Sequence, residues 1–430
     1  MNTLPIAVIG AGPIGLAAAA HLLARGLTPI VFEAGPTAGS SIQKWAHVRM
    51  FSPWNYNIDQ KARALLEQEA WLEPDLVAYP TGSDLIEFYL KPLAANSALS
   101  PHIHYQHRVL AVTRQGKDLM KHADRSKSPF LIRVENSAGE ERDYLVQAVI
   151  DASGTYDKPN PLGSHGLPVV GEKAASAHIF YGIPDVLGRD EQRYAKKRVL
   201  VVGSGHSAFQ ALQDLAKLRE TEPGTQIYWA IRRPSLERVL GGGEKDKLQE
   251  RGRLGGRIGK LLAEEVIQLF YEVSIDRLNQ TEAGLVVASG SAALPAVDEI
   301  IVTTGFRPDL SLLSEIRLDL DPATQSPKAL APLIDPNLHS CGTVRPHGAE
   351  ELRHPEENFF IVGMKSYGRA PTFLLLTGYE QVRSVVSAIA GDWRAARKVE
   401  LKLPETGVCN RSPQTEVPVA KSKSQAVCCG

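Results

Sequence analysis

Cysteine is scarce, with four in 430 residues, at Cys341, Cys409, Cys428 and Cys429. None precedes residue 341, and no CxxC or CxxxxC spacing occurs. That is too few for a disulfide framework. A thiol–disulfide relay, which needs a closely spaced redox pair, is strongly disfavoured. Charge of either sign is not in excess: Lys plus Arg is 48 and Asp plus Glu is 48. A balanced chain has no global field with which to hold nucleic acid or an anionic membrane. Unbroken apolar runs are also missing. The longest apolar stretch, Leu4 to Ala24, is interrupted by three glycines and Pro13, and no basic residue precedes Arg25. It suits neither a membrane span nor a secretory signal, so the expected location is the cytoplasm. What the chain does have is ordinary: 43% hydrophobic and 22% charged residues, which excludes wholesale disorder. Its length suits two to three domains.

Near the start, Ile6 to Ile9 form a short β-rich run. Gly10-Ala11-Gly12-Pro13-Ile14-Gly15 follows, then the helical apolar stretch Leu16 to Leu23, then Pro29 to Phe32 ending in Glu33. This is a strand, glycine turn, helix, strand, acid unit. Its glycines serve a tight turn, close approach to a pyrophosphate, and helix–strand packing. The helix start offers unpaired N–H groups to phosphate. Glu33, 18 positions after Gly15, can accept from ribose hydroxyls. The position at the chain start and the extended loop Gly35 to Trp45 favour FAD as the occupant.

The pattern returns at Arg198 to Val202, followed by Gly203-Ser204-Gly205-His206-Ser207-Ala208 and a helical segment, Ala208 to Leu218. The next strand, Gln226 to Ile231, ends in Arg232-Arg233 instead of an acid. A carboxylate would repel a 2′-phosphate, whereas a guanidinium binds it. The second fold therefore suits NADPH. Solvation of a strand end is the plainer alternative for the two arginines.

Val109 to Thr113, Phe130 to Glu135 and Tyr144 to Ile150 read as three strands, with Gln115 to Ser128 a surface loop. Asp151 to Thr155 and Glu299 to Asp309 are strand ends rich in small residues that allow close cofactor approach. Phe359 to Met364 is a final strand with a glycine turn, and Leu374 to Ala390 a helix whose N-terminal dipole suits the flavin's electron-rich edge. The fold class expected is α/β, with two Rossmann-like dinucleotide-binding domains, the NADPH domain inserted into the FAD domain. Approximate boundaries are 1–160 and 297–400 for FAD and 165–296 for NADPH, with a Cys-containing tail at 404–430.

These glycine motifs, the Ser153-Gly154-Thr155 turn and the Thr304-Gly305-Phe306 turn resemble the flavin-dependent monooxygenases with two dinucleotide-binding domains. Arg49-Met50-Phe51-Ser52-Pro53-Trp54 and Gly363-Met364-Lys365-Ser366-Tyr367-Gly368-Arg369-Ala370-Pro371-Thr372 are more closely similar to the flavoprotein monooxygenases of arsenic-resistance operons. The resemblance implies NADPH- and O2-dependent oxidation of trivalent arsenic, antimony or methylarsenite through a flavin 4a-hydroperoxide. A small-molecule substrate and a monomer or homodimer go with it. It implies an FAD set of Gly10, Gly12, Pro13, Ile14, Gly15, Glu33, Trp45, Val109, Ser153, Gly154, Gly363, Met364 and Thr372. The NADPH set is Gly203, Ser204, Gly205, His206, Ser207, Arg232, Arg233 and Gly305. The family's Phe-x-Gly-x-x-x-His pattern is not reproduced at Val169, Gly171 and His178, and Phe51 stands where many relatives carry Asn. Arg49, Ser52 and Asn55 are the polar candidates for oxygen activation.

Thiolates are soft ligands, so Cys409, Cys428 and Cys429 are candidates for metalloid capture, and Cys341, beside His339 and Arg345, for a reactive thiolate. Idle tail thiols and an inert buried Cys341 are the plain alternatives. No metal site is expected, the cluster His102, His104 and His107 lacking a carboxylate or thiol. Gly241-Gly242-Gly243 is a candidate lid, with an ordinary solvated loop slightly favoured. An NADPH oxidase or quinone-type reductase, an N- or S-oxygenating enzyme, and a non-catalytic metalloid-binding flavoprotein remain alternatives.

Overall fold

Residues 4–236, 249–338, 344–370 and 373–401 are described by a computed structural model. Strands β1 (Ile6–Ile9), β2 (Pro29–Phe32) and β3 (Ile103–His104) open a parallel sheet. An antiparallel sheet follows: β4 (His107–Arg114), β5 (Phe130–Asn136) and β6 (Glu141–Val146). The chain then returns to the first sheet as β7 (Ala148–Asp151), beside β1. The expected strand Tyr144–Ile150 is thus two strands in different sheets. Gln147 separates them, donating its backbone N–H to Pro5 O. Both halves are apolar and extended, so no local pattern marks the break.

A second parallel sheet is built next from β8 (Ile179–Tyr181), β9 (Arg198–Val202), β10 (Gln226–Ala230) and β11 (Ile267–Phe270). A second antiparallel sheet, β12 (Arg277–Thr281), β13 (Gly284–Ser289) and β14 (Ala292–Ala293), precedes β15 (Glu299–Val302). Only then does β16 (Phe359–Ile361) complete the first sheet beside β7. The orders are β16-β7-β1-β2-β3 and β11-β10-β9-β15-β8. The fold is mixed α/β with Rossmann-like parallel sheets. Strand β15, placed by the 296/297 boundary with the first unit, pairs with β9 and β8 in the second sheet. Leu162 also packs in the second unit's core, ahead of residue 165.

Period-two alternation explains the layers. In β1, Ile6 and Val8 face the core containing the helix Pro13–Ala24, while Ala7 and Ile9 face the β4–β6 sheet. In β9, Val199 and Val201 face the helix His206–Thr221, and Leu200 and Val202 face the β12–β14 sheet. The helix Pro13–Ala24 is buried from Ile14 to Leu22. It is apolar all round because it lies between a sheet and the helix Leu375–Ile389. The loop 115–128 is more than surface: Arg125 is buried there and bonds Glu356, which also takes Arg114 at 2.8 Å. Among the described residues, no helix is long and apolar enough to cross a membrane.

Candidate functional site

The first glycine motif leaves β1 and enters the helix Pro13–Ala24 with Gly12 as N-cap and no side-chain cap. The first helical bond runs from Leu16 N to Gly12 O, so the N–H groups ahead of it have no helical acceptor. A Cβ on Gly12 would meet nothing within 4 Å, whereas one on Gly15 would stand 1.9 Å from Gly10 O. Space beside Gly12 and bare helix N–H groups are what a pyrophosphate needs. Glu33 Oε2 accepts from Ala11 N at 2.7 Å and Oε1 from Gly35 N at 2.8 Å. The acid therefore ties the glycine turn to the loop after β2, and its remaining lone pairs are what a ribose can use.

Strands β1, β7 and β16 end in register, with Ile9, Asp151 and Ile361 side by side. Past that edge lie the two turns expected at the flavin, Ser153-Gly154 and Gly363-Met364. A fully buried ion pair joins them: Lys365 Nζ lies 2.6 Å from Asp151 Oδ2 and 3.0 Å from Ser153 Oγ. Ser153 donates both N–H and O–H to Asp151 Oδ1, at 3.1 and 2.6 Å. The Ser153 hydroxyl is thus turned inward, while the space a Gly154 Cβ would occupy is open. Gly363 packs on Ile14, a Cβ there falling 3.2 Å from Ile14 Cγ1, and Gly378 packs on the same side chain. Ile14, Gly363 and the start of the helix Leu375–Ile389 are thereby brought together. Trp45 packs against Gly82, and Val109 borders a register shift in β4.

In the second unit, Gly203 has φ +131°, and a Cβ there would lie 2.6 Å from Thr303 O. Only glycine suits that backbone and that approach. Gly205 caps the helix His206–Thr221 without side-chain help and faces open space, as Gly12 does. Trp229, fully buried, donates from Nε1 to Gly203 O at 2.7 Å and fixes the turn from below. Arg232 and Arg233 are exposed just past the end of β10, the Arg232 guanidinium donating to Ser164 O. Gly305 lies in a segment joined to Asn160, whose N–H donates to Gly305 O at 2.9 Å.

The strip 49–57 of the first unit reaches the second glycine motif. The Phe51 ring lies 5.7 Å from the His206 ring, and His206 is 6.0 Å from Phe209. The three polar candidates of this strip are not gathered at one point. Arg49 is exposed and donates to Tyr79 O at 3.1 Å. Ser52 is buried and donates to Asn57 Oδ1 at 2.8 Å, while Asn57 Nδ2 donates back to Ser52 O at 2.9 Å. Asn55 is exposed, its backbone N–H bonded to Leu76 O. Thr372, Cys341, Cys409, Cys428, Cys429 and the Gly241–Gly243 stretch lie outside the described residues. Sequence reasoning missed Asp151–Lys365, Trp229, Asn57 and Gln381. A lone lysine within the apolar stretch 359–370 was the one available signal.

A family model described as pyridine nucleotide-disulphide oxidoreductase matches residues 7–330. The chain belongs to that family. Membership brings FAD and NAD(P)H use with it, and the open space beside Gly12, Gly154 and Gly205 fits those groups. The missing cysteine pair bears on a thiol–disulfide relay and not on membership of the family. Among curated proteins the family member is 27% identical over 330 residues to the ferredoxin–NADP reductase of Salinispora tropica, covering 75% of this chain and 80% of that protein. Bacillithiol disulfide reductase from Bacillus cereus superposes with a TM-score of 0.66 at 19% identity, over 91% of this chain and 99% of that one. The FAD-bound cadaverine monooxygenase of the desferrioxamine pathway from Erwinia amylovora gives a TM-score of 0.63 at 14% identity, over 96% and 100%. At such identities these two likenesses establish the shared fold.

Proposed function

We propose that this protein is an NADPH-dependent FAD monooxygenase that uses O2 to oxidise a soft nucleophile, with trivalent arsenic, antimony or methylarsenite as the substrate class. The observation that carries the reading is the Phe51–His206 contact. It brings the strip, which takes a hydrogen bond from Tyr379 of the helix Leu375–Ile389 at Asn57 O, against the second glycine motif, and that strip holds no thiol. Electrons entering from the nicotinamide side then have no protein disulfide to reduce and pass to a diffusible acceptor. FAD, when bound, would supply the redox chemistry, as hydride acceptor toward NADPH and as the O2-reactive group. The chain's own residues bind and orient. Gly12 and Gly205 admit the two pyrophosphates, Glu33 takes a ribose, and Arg232 with Arg233 takes the 2′-phosphate. Phe51 and the Ser52–Asn57 bonded turn keep water from the meeting point of the two rings. The substrate class rests on the resemblance of 49–54 and 363–372, and the tail thiols Cys409, Cys428 and Cys429 suit its capture.

The likeness to a ferredoxin–NADP reductase favours a second reading, an NADPH-dependent reductase of an external acceptor. One experiment separates them. The holoenzyme is reduced anaerobically with NADPH, then given O2 with arsenite, antimonite, methylarsenite, an amine or a thioether, or given ferredoxin or a quinone without O2. Oxygenated product in step with NADPH consumption supports the monooxygenase. Peroxide alone, with rapid reduction of ferredoxin or quinone, overturns it in favour of the reductase. Truncation after Arg411 is expected to leave FAD content intact and raise the metalloid KM; unchanged KM removes the capture role.

A further inference from the structure

Gln381 lies on the helix Leu375–Ile389, fully buried, and its amide is completely used. Gly363 N donates to its Oε1 at 2.7 Å. Its Nε2 lies 2.9 Å from Ser366 Oγ and 2.9 Å from His347 Nε2. Ser366 Oγ donates in turn to Gly363 O at 2.7 Å. A backbone N–H can only donate, so the amide atom facing Gly363 is the oxygen. The atom facing His347 is then the NH2, which also can only donate. His347 Nε2 must therefore accept, and its proton sits on Nδ1, which donates to Arg345 O at 3.1 Å. Backbone groups at both ends leave each member of the chain a single assignment.

We propose that Gln381, oriented by a neutral His347, is a positioning residue for the flavin-facing turn Gly363-Met364, and that protonation of His347 releases this turn and weakens FAD binding. The inference rests on the placement of FAD against that turn made above. A proton on Nε2 sets a donor against the Gln381 NH2. Rotating the amide by half a turn satisfies His347 but sets NH2 against Gly363 N–H. No orientation serves both, so one buried N–H is stranded. The groups around His347 are Arg345 and Glu351, paired at 3.3 Å; Glu380, paired with Arg383 at 2.6 Å; and the Tyr367 ring at 5.6 Å. Burial holds the imidazole below its usual range, the bond to the Arg345 carbonyl and the two carboxylates acting against it and the Arg345 guanidinium with it.

The test uses the holoenzyme from about pH 8 down to the lowest pH at which it stays folded, because the buried His347 takes up its proton below the usual histidine range. FAD dissociation is followed by released-flavin fluorescence, with thermal unfolding of each variant as the check on folding. His347→Gln keeps an acceptor toward Gln381 and does not titrate; Gln381→Met removes the hub. For the unaltered protein the FAD Kd is expected to rise roughly tenfold on acidification, the loss of one buried hydrogen bond. H347Q should show a nearly flat profile over the same range, and Q381M weak binding throughout. An H347Q profile parallel to that of the unaltered protein, or Q381M binding as tight as the original, overturns the proposal. If Q381M does not fold, H347Q alone decides. Failure of the unaltered protein to bind FAD even at the upper pH overturns the site assignment itself, a different result from parallel profiles.

Discussion

Lys365 and Asp151 show how much one pair of side chains can ask of a fold. Both are withdrawn from water, and removing a charge from water costs several kcal/mol unless its partner and further hydrogen bonds return it. Ser153 supplies those bonds. Lys365→Met leaves the Asp151 carboxylate buried without its counter-ion, and a loss of about 3–5 kcal/mol is expected. The double change Lys365→Met with Asp151→Leu removes both charges and should cost clearly less. Chemical denaturation of the two variants checks this, and equal losses would mean that the charges do not act as a pair. Arg232 and Arg233 work in the opposite setting, exposed beyond β10. Their joint replacement by Ala should weaken NADPH by roughly 10- to 100-fold, a few charge-assisted bonds lost, and change NADH little. Equal losses for the two nucleotides would remove the 2′-phosphate role.

Among the elements, the two glycine-to-helix turns were the most legible part of the chain. Each is a local pattern in which strand, turn and helix follow without a break, and one residue's lack of a side chain states its job. The contrast between Gly12 and Gly15 turns that into a measurement. Gly12→Ala adds a methyl into open space at the N-cap, costing the apoprotein about 1 kcal/mol, yet it fills the place of the pyrophosphate. FAD affinity should drop more than tenfold while apoprotein stability falls by no more than about 1 kcal/mol. Gly15→Ala would drive its Cβ into Gly10 O and should prevent folding altogether. Retained FAD affinity in Gly12→Ala would sink the phosphate assignment. Less legible were features made by distant segments. The break at Gln147 is invisible because the end of β6, Tyr144 to Val146, and the start of β7, Ala148 to Ile150, are both apolar runs though their partners differ. The segment Glu299 to Asp309 reads as a cofactor-side strand end of the second unit, and the pairing of β15 with β9 agrees; only the 296/297 boundary falls on the wrong side of it. Gln381 reads as one polar residue on an amphipathic helix, and its partners His347 and Gly363 come from elsewhere in the chain.

Over the whole molecule, acid sensitivity is expected from histidines that the fold keeps neutral. His354 is pushed down to about 4 by burial, its Nδ1 accepting from Asp319 N and its Nε2 buried without a partner. The unfolded chain takes up a proton near pH 6.5, and the folded chain does not until about 4. Stability is therefore intact above pH 6.5 and falls as pH drops toward 4, by about 3 kcal/mol in total from this group. Denaturation of the apoprotein at several pH values should show that slope, and His354→Gln should flatten it. An unchanged slope in the variant would assign the effect elsewhere.

The two passages between the units, 158–160 and 304–307, run side by side, bridged at Pro159 and Phe306 and bonded from Asn160 to Thr304 and Gly305. To the host sheet, the inserted unit is therefore a loop whose ends already touch. Strands β7 and β16 must meet across roughly 200 residues, an entropic cost that grows with the logarithm of the gap. Once the insert has folded, that gap shrinks to about 6 residues before the closed seam and about 50 after it. Closure of the outer sheet then costs about 1 kcal/mol less, and a chain synthesised from its N-terminus can hold β7 ready while the insert matures ahead of β16.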